Sequence, residues 1–285
     1  MTRTQTLAQM PDVYFPVRRR TPWGQVLQGV VVLLLVGWLL TGFITSGVFD
    51  FATVAQYLIG PQLLIGVWNT LTLATLATAI ALVLGTLVAL MRISENRVLS
   101  AVASVYVFIF RGTPMLVQLL IWFYAIPRMV GQVTIGIPFT DIVFVNESAS
   151  SFFTPFMAGL FALSLAETGY MAEVIRSGIL GVDQGQRDAA RALGVRRWKI
   201  TVQIVLAQAF RIVLPATGNQ YIMMIKNTSL AYTIGYMEIL LTVSRIYYAN
   251  FKYLELLLVA AFWYLVLTAL ISILQQVLER RFPAR

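Results

Sequence analysis

The chain has 285 residues, 59% apolar and 12% charged, with a formal net charge of +9 and a mean hydropathy of +0.79. A water-facing surface cannot be built from that mixture, which excludes an ordinary soluble domain. There is no cysteine or histidine, which excludes disulfides, Cys/His metal sites, thiolate nucleophiles and histidine bases, and no G-x-x-x-x-G-K run offers a phosphate cradle for ATP.

The basic residues fall in short runs between apolar stretches, a pattern of membrane topology rather than of nucleic-acid binding. Residues 1–20 are polar and end in Arg18, Arg19 and Arg20, and an apolar run from about Val26 to Ile44 is then long enough to span a bilayer. A cleaved signal peptide competes for that run, but the apolar core exceeds a usual h-region and no A-x-A site follows it. Further runs lie at about Val67 to Met91, Ala101 to Ile126, Phe152 to Ile175, Val213 to Leu240 and Leu256 to Leu278. Each is near the roughly 20 residues a spanning helix needs. The expectation is an all-α integral membrane protein with six transmembrane helices. Thr70, Thr72, Thr75 and Thr78 allow the second span a weakly polar face.

Lys and Arg are retained on the cytoplasmic side of short loops. With both termini cytoplasmic, that side holds Arg3, Arg18, Arg19, Arg20, Arg92, Arg97, Arg176, Arg187, Arg191, Arg196, Arg197, Lys199, Arg280, Arg281 and Arg285, while external loops hold Arg128, Arg245 and Lys252. The external loop from Pro127 to Ser151 is too short for a domain and is at most a lid or docking surface. The internal segment from about Arg176 to Arg211 has helical composition around Asp188, Ala189, Ala190, Ala192 and Leu193, which predicts a cytoplasmic amphipathic helix.

Within that segment, Gly185-Gln186-Arg187-Asp188-Ala189-Ala190-Arg191-Ala192-Leu193-Gly194, followed by Val195 to Gln203 and Ile204-Val205-Leu206-Ala207, resembles the EAA loop of ABC importer permeases. Asp188 stands where that pattern has Glu, and Ala207 where it has Pro. Arg111-Gly112-Thr113-Pro114 with Val117-Gln118 is similar to the R-G-T-P-x-x-V-Q run of polar amino acid permeases. Glu167 to Arg176 resembles their E-x-A-Y-x-A-E-I-x-R run, with Gly169 where Ala is common, and Lys226-Asn227-Thr228-Ser229-Leu230 their K-x-T-S-L. Four motifs in order make the likeness specific to the polar amino acid ABC transporter permease family, from about Ile65 onward.

The resemblance implies a five-helix importer permease core over residues 65–285 with a cytoplasmic coupling helix, and a cytoplasmic tail plus one extra helix over residues 1–64. It implies a subunit in a bacterial cytoplasmic (inner) membrane that moves polar or charged amino acids and binds no cofactor, ATP being used by partner ABC ATPase subunits. A second permease subunit, same or homologous, an extracytoplasmic amino acid binding protein and membrane lipid complete the implied partners. Gln186, Asp188, Ala189, Ala190 and Gly194 are the expected coupling residues; Ala190 and Gly194, four apart, would leave a flat helical face for an ATPase groove. No catalytic or metal residue is expected.

Arg111 is expected near the middle of its span, where an unpaired charge costs at least about 2.5 to 3.5 kcal/mol. It either stabilises the fold through an ion pair or the carbonyls freed at Gly112 and Pro114, or faces a substrate carboxylate. Glu167 is expected to pair with Arg111 or a substrate ammonium group, and Glu173 with Arg176 as a surface pair. Asn219, Lys226 and Thr233 repeat every seven residues and predict one polar helix face, lining either a transport path or a helix contact. An ion-gradient-driven secondary transporter is the rival reading; it predicts inverted repeats, and no repeat is found. A membrane-embedded enzyme would need a catalytic cluster, and no motif assembles one.

Overall fold

The computed structural model describes residues 23–45, 47, 50–140 and 142–281. The tail carrying Arg3 and Arg18 to Arg20, and Arg285 at the other end, lie outside the described residues. The chain divides into two units, Met1–Phe49 and Asp50–Arg285. In the first, α1 (Trp23–Thr45) is apolar over Trp23–Leu39 apart from Gln25 and Gln28 near its start.

The second unit starts with a short helix, α2 (Phe51–Leu58), capped by Asp50, whose carboxylate accepts from Ala52 N and Thr53 N. α2 is tied to the last helix by Trp263 Nε1 donating to Leu58 O at 2.8 Å. Then follow α3 (Pro61–Arg92), α4 (Arg97–Gly112) and α5 (Met115–Val130), a hairpin of β1 (Gln132–Gly136) and β2 (Val143–Ser148), and a turn of helix, α6 (Ala149–Phe152). α7 (Pro155–Leu180), α8 (Gln184–Ala192), α9 (Ile200–Ile234), α10 (Ile239–Asn250) and α11 (Tyr253–Arg281) complete the unit.

Among the described residues, α3, α9 and α11 are each long and apolar enough to cross a membrane, and α4 with α5 forms a bent pair that passes together. α7 has 26 residues, ~39 Å of helix. The expected single span from Ala101 to Ile126 is corrected: α4 and α5 meet at 100°, so both cannot run along the membrane normal. Pro114 causes the break, since it has no N–H to donate and clashes with the preceding turn. Carbonyls freed there are not left bare in the apolar interior. The Gln118 amide donates to Phe110 O at 2.9 Å, Thr113 O at 3.1 Å and Thr113 Oγ1 at 2.7 Å.

Two more expectations change. The fifth span begins at Ile200 rather than Val213, because the apolar run of Ile200, Val202, Ile204, Val205 and Leu206 continues the helix toward the basic end. The expected loop between Pro127 and Ser151 contains a two-stranded antiparallel hairpin, β1 with β2.

α3 and α7 form the central pair. α3 buries Gly66, Thr70, Ala74, Ala77, Ala81, Gly85 and Ala89, and α7 buries Ala158, Gly159, Ala162, Ala166, Gly169 and Ala172. Such small residues let backbones approach closely where lipid offers no hydrophobic drive to associate. A Cβ on Gly85 would lie 2.8 Å from Met171 Cβ. From Thr228, α9 tightens into a 3-10 turn and ends at left-handed Gly235; Glu238 then caps α10, accepting from Leu240 N at 2.9 Å, Leu241 N at 2.7 Å and the Tyr264 hydroxyl. These bonds satisfy the polar groups of a non-helical stretch inside the bundle.

Candidate functional site

α7 carries Glu167, Tyr170 and Glu173 at three-residue intervals, one turn apart along one side of the helix. Glu167 lies ~18 Å along α7 from Pro155, and Glu173 another ~9 Å toward α8. Glu167 is 2% exposed, and its Oε1 has no hydrogen-bond partner. It borders a cavity of about 280 Å³ whose other walls are Met115, Tyr170, Gln220, Met223 and Asn227. A carboxylate in that setting is a strong unmatched acceptor beside a polar hollow.

Arg111 does not pair with Glu167. Its guanidinium lies 3.7 Å from Glu173 Oε1 and 5.3 Å over the Tyr170 ring. Arg92, at the end of α3, meets the same Glu173 oxygen, and Arg176 holds Oε2 at 2.9 Å. Arg92 and Arg111 therefore meet at one carboxylate, which pairs the charge of Arg111. Gly169 makes this possible: a Cβ there would lie 3.1 Å from Arg111 Cγ. The expected Glu173–Arg176 pair forms, but as one arm of a four-residue cluster joining α3, α4 and α7.

On α9, Asn219 and Lys226 share the expected face and are exposed in the single chain, with Met223 between them at the edge of the cavity. Thr233 is exposed too, but it sits in the 3-10 stretch, where its hydroxyl donates to Leu230 O at 2.8 Å, so the seven-residue register does not hold that far. Asn219 Oδ1 is 3.4 Å from Gln275 Nε2 of α11. Sequence reasoning missed Gln220 and Asn227, which line the cavity. They repeat at the same seven-residue interval, one position beyond Asn219 and Lys226.

The coupling candidates lie on or beside α8. Gln186 accepts from Gln208 of α9, and Asp188 pairs with Arg191 at 3.2 Å. The expected flat face of Ala190 and Gly194 is corrected. Ala190 is buried with Ile179, Val182 and Ile200, and Gly194 lies past the helix end at φ +71°. The outward face is built by Gly185, Ala189, Ala192 and Leu193, the last 83% exposed.

A polytopic helical bundle with a polar cavity against a buried carboxylate, and a basic helix at one end, has the build of a membrane transport subunit. The chain matches the binding-protein-dependent transport system inner membrane component family over residues 81–283, and it belongs to that family. It is 35% identical over 271 residues to the arginine transport system permease protein ArgU of Corynebacterium glutamicum, covering 94% of this chain and 82% of that one. It is 38% identical over 220 residues to the nopaline transport system permease protein NocM of Agrobacterium fabrum, covering 77% and 87%. Among solved structures, an amino acid ABC transporter with histidines superposes with a TM-score of 0.69 at 33% identity, over 82% of this chain and 99% of that one. The MetNI methionine transporter shares the fold, with a TM-score of 0.60 at 19% identity over 78% and 96%. This chain is thus a membrane permease, not an enzyme; ATP hydrolysis in such importers belongs to a separate subunit.

Proposed function

We propose that the chain is the substrate-conducting subunit of an ATP-driven importer for amino acids with a cationic side chain, and that Glu167 receives the positive end. One observation carries this reading: a buried carboxylate whose Oε1 has no protein partner, at the wall of a polar cavity. An uncompensated charge at that depth is costly, and a cationic ligand supplies the missing partner. Gln220, Asn227 and Tyr170 offer further polar contacts. Arg111, one to two turns away along α7, is placed for the α-carboxylate. Relatives are named for arginine, nopaline and glutamine transport, and arginine has this chemistry.

The exposed α9 face of Asn219, Met223 and Lys226 meets the cavity at Met223, Thr233 lies beyond it in the 3-10 stretch, and a second permease subunit, same or homologous, closes the path there. α8 is the coupling helix: its outward face of Gly185, Ala189, Ala192 and Leu193, flanked by Asp188, seats in a partner ATPase, while Gln186, Ala190 and Gly194 hold its angle. An extracytoplasmic amino acid binding protein delivers substrate. Both termini are cytoplasmic in a bacterial inner membrane, as the distribution of Lys and Arg favours.

The test is uptake by the transporter reconstituted with its ATPase and binding protein, challenged with each of the twenty L-amino acids. Arginine and lysine are expected to dominate, with Glu167→Gln reducing their transport on the order of tenfold or more. Equal transport of neutral or acidic amino acids, unchanged by Glu167→Gln, overturns the reading.

A further inference from the structure

The cluster at Glu173 holds more positive charge than a structural ion pair needs. Three guanidinium groups share one carboxylate: Arg92 and Arg111 meet Oε1, and Arg176 holds Oε2. Of the three, Arg111 is held least. Its 3.7 Å separation is beyond hydrogen-bonding distance, and its side chain is the most exposed, at 42%. The Arg111–Glu173 ion pair is therefore the weakest of the three and the first that a second carboxylate can replace.

The neighbourhood supplies the route for one. Tyr170 belongs to both places: it lines the Glu167 cavity and lies under the Arg111 guanidinium. Glu167 and Glu173 are ~9 Å apart along α7, about the reach of an extended basic amino acid. A ligand whose cationic end rests on Glu167 thus brings its α-carboxylate toward Arg111. Arg111 is also the last residue but one of α4, immediately before the 100° break. Its stem lies against Gly169, so displacement of its head group is felt at the α4–α7 contact.

We propose that Glu173 is a latch that the substrate displaces: the α-carboxylate of the bound amino acid takes Arg111 from Glu173 and releases the α4 elbow from α7. Glu173 is not orphaned by the exchange, because Arg92 and Arg176 keep its charge paired. The exchange swaps one carboxylate for another at the same guanidinium, so Arg111 stays paired throughout. Occupancy of the cavity is thereby reported to the joint between α3, α4 and α7, which lies on the α8 side of the cavity. Glu173 is a positioning residue, acting on the ligand only through Arg111. This inference rests on the Glu167 cavity being the substrate site.

The experiment measures equilibrium binding of L-arginine and of agmatine, its decarboxylated counterpart, to the assembled permease–ATPase complex in nanodiscs without nucleotide. Glu173→Gln removes the competitor, so arginine is expected to bind severalfold tighter while agmatine is unchanged. Arg111→Gln is expected to weaken arginine on the order of tenfold, again leaving agmatine unchanged. Arg111→Lys keeps the charge and should restore part of the arginine affinity. Equal effects of Glu173→Gln on both ligands, or none on either, overturn the latch. Glu167→Gln separates the two ideas: it should weaken both ligands, and if it weakens neither, or the unaltered complex binds no arginine, the cavity reading fails and takes the latch with it. If Glu173→Gln yields no stable complex, the Arg111 pair of variants decides alone, through the same arginine-to-agmatine ratio.

Discussion

The side-chain amide of Gln118 lies 2.9 Å from the carbonyl oxygen of Phe110, bridging the break between α4 and α5. The same nitrogen reaches Thr113 O and Thr113 Oγ1, so one side chain satisfies acceptors that Pro114 leaves without a helical donor. Gln118 is 6% exposed, and water cannot easily replace it. Gln118→Leu keeps the volume but strands these acceptors, and should destabilise the protein by about 1–3 kcal/mol. Gln118→Glu, which cannot donate when ionised, should do no better. Thermal unfolding in detergent measures both, and an unchanged midpoint for Gln118→Leu would show that the elbow does not depend on this amide.

Gly169 is placed where its missing side chain matters. A Cβ would sit 3.1 Å from Arg111 Cγ, but the atom it meets belongs to a flexible stem that can yield by a few tenths of an ångström. Ala also favours helix over Gly by about 0.8–1 kcal/mol. Gly169→Ala should therefore be close to neutral in melting temperature, whereas Gly169→Leu should push Arg111 off Glu173 and lower transport. A large loss for Gly169→Ala would mean that Arg111 cannot move at all.

Much of this arrangement could be read from residue types. The apolar runs coincide with the long helices, and the four motifs carry Arg111, Glu167 and α8. What the sequence hid was direction. A run from Ala101 to Ile126 reads as one span because apolar composition is blind to a turn of 100°, and only Pro114 hints at it. The same run holds Arg111, whose partner is Glu173, six residues along α7 from Glu167. On α8 the positions of small residues were legible, but not which of them faced the bundle: Ala190 turned inward and Ala189 outward. Asn219 and Lys226 stood out by charge and period, while the parallel pair Gln220 and Asn227 was passed over because one of the two falls inside the K-x-T-S-L run and was read as part of it.

Glu167 should show the trade between stability and function. A buried carboxylate with an unpaired oxygen is retained against its own cost. Glu167→Leu should raise the melting temperature and abolish uptake, since a well-packed apolar group removes the desolvation cost together with the partner for a cationic substrate. Lower stability in this variant would assign Glu167 to holding the fold together instead.

The coupling helix offers two changes with opposite signatures. Gly194 has φ +71°, a backbone state that costs an ordinary side chain about 1–2 kcal/mol, although nothing lies within 4 Å of its Cβ position. Gly194→Val should therefore act through the turn after α8, lowering thermal stability modestly and tilting the helix. Leu193→Asp touches no core residue, since Leu193 is almost wholly exposed, and should leave folding and membrane content unchanged. If the outward face of α8 seats in the ATPase, Leu193→Asp will lose co-purification of that subunit and uptake together, while purified permease melts as before. Retention of the ATPase by Leu193→Asp, with normal uptake, would place the contact on another face, and the inward-turned Ala190 could not supply it.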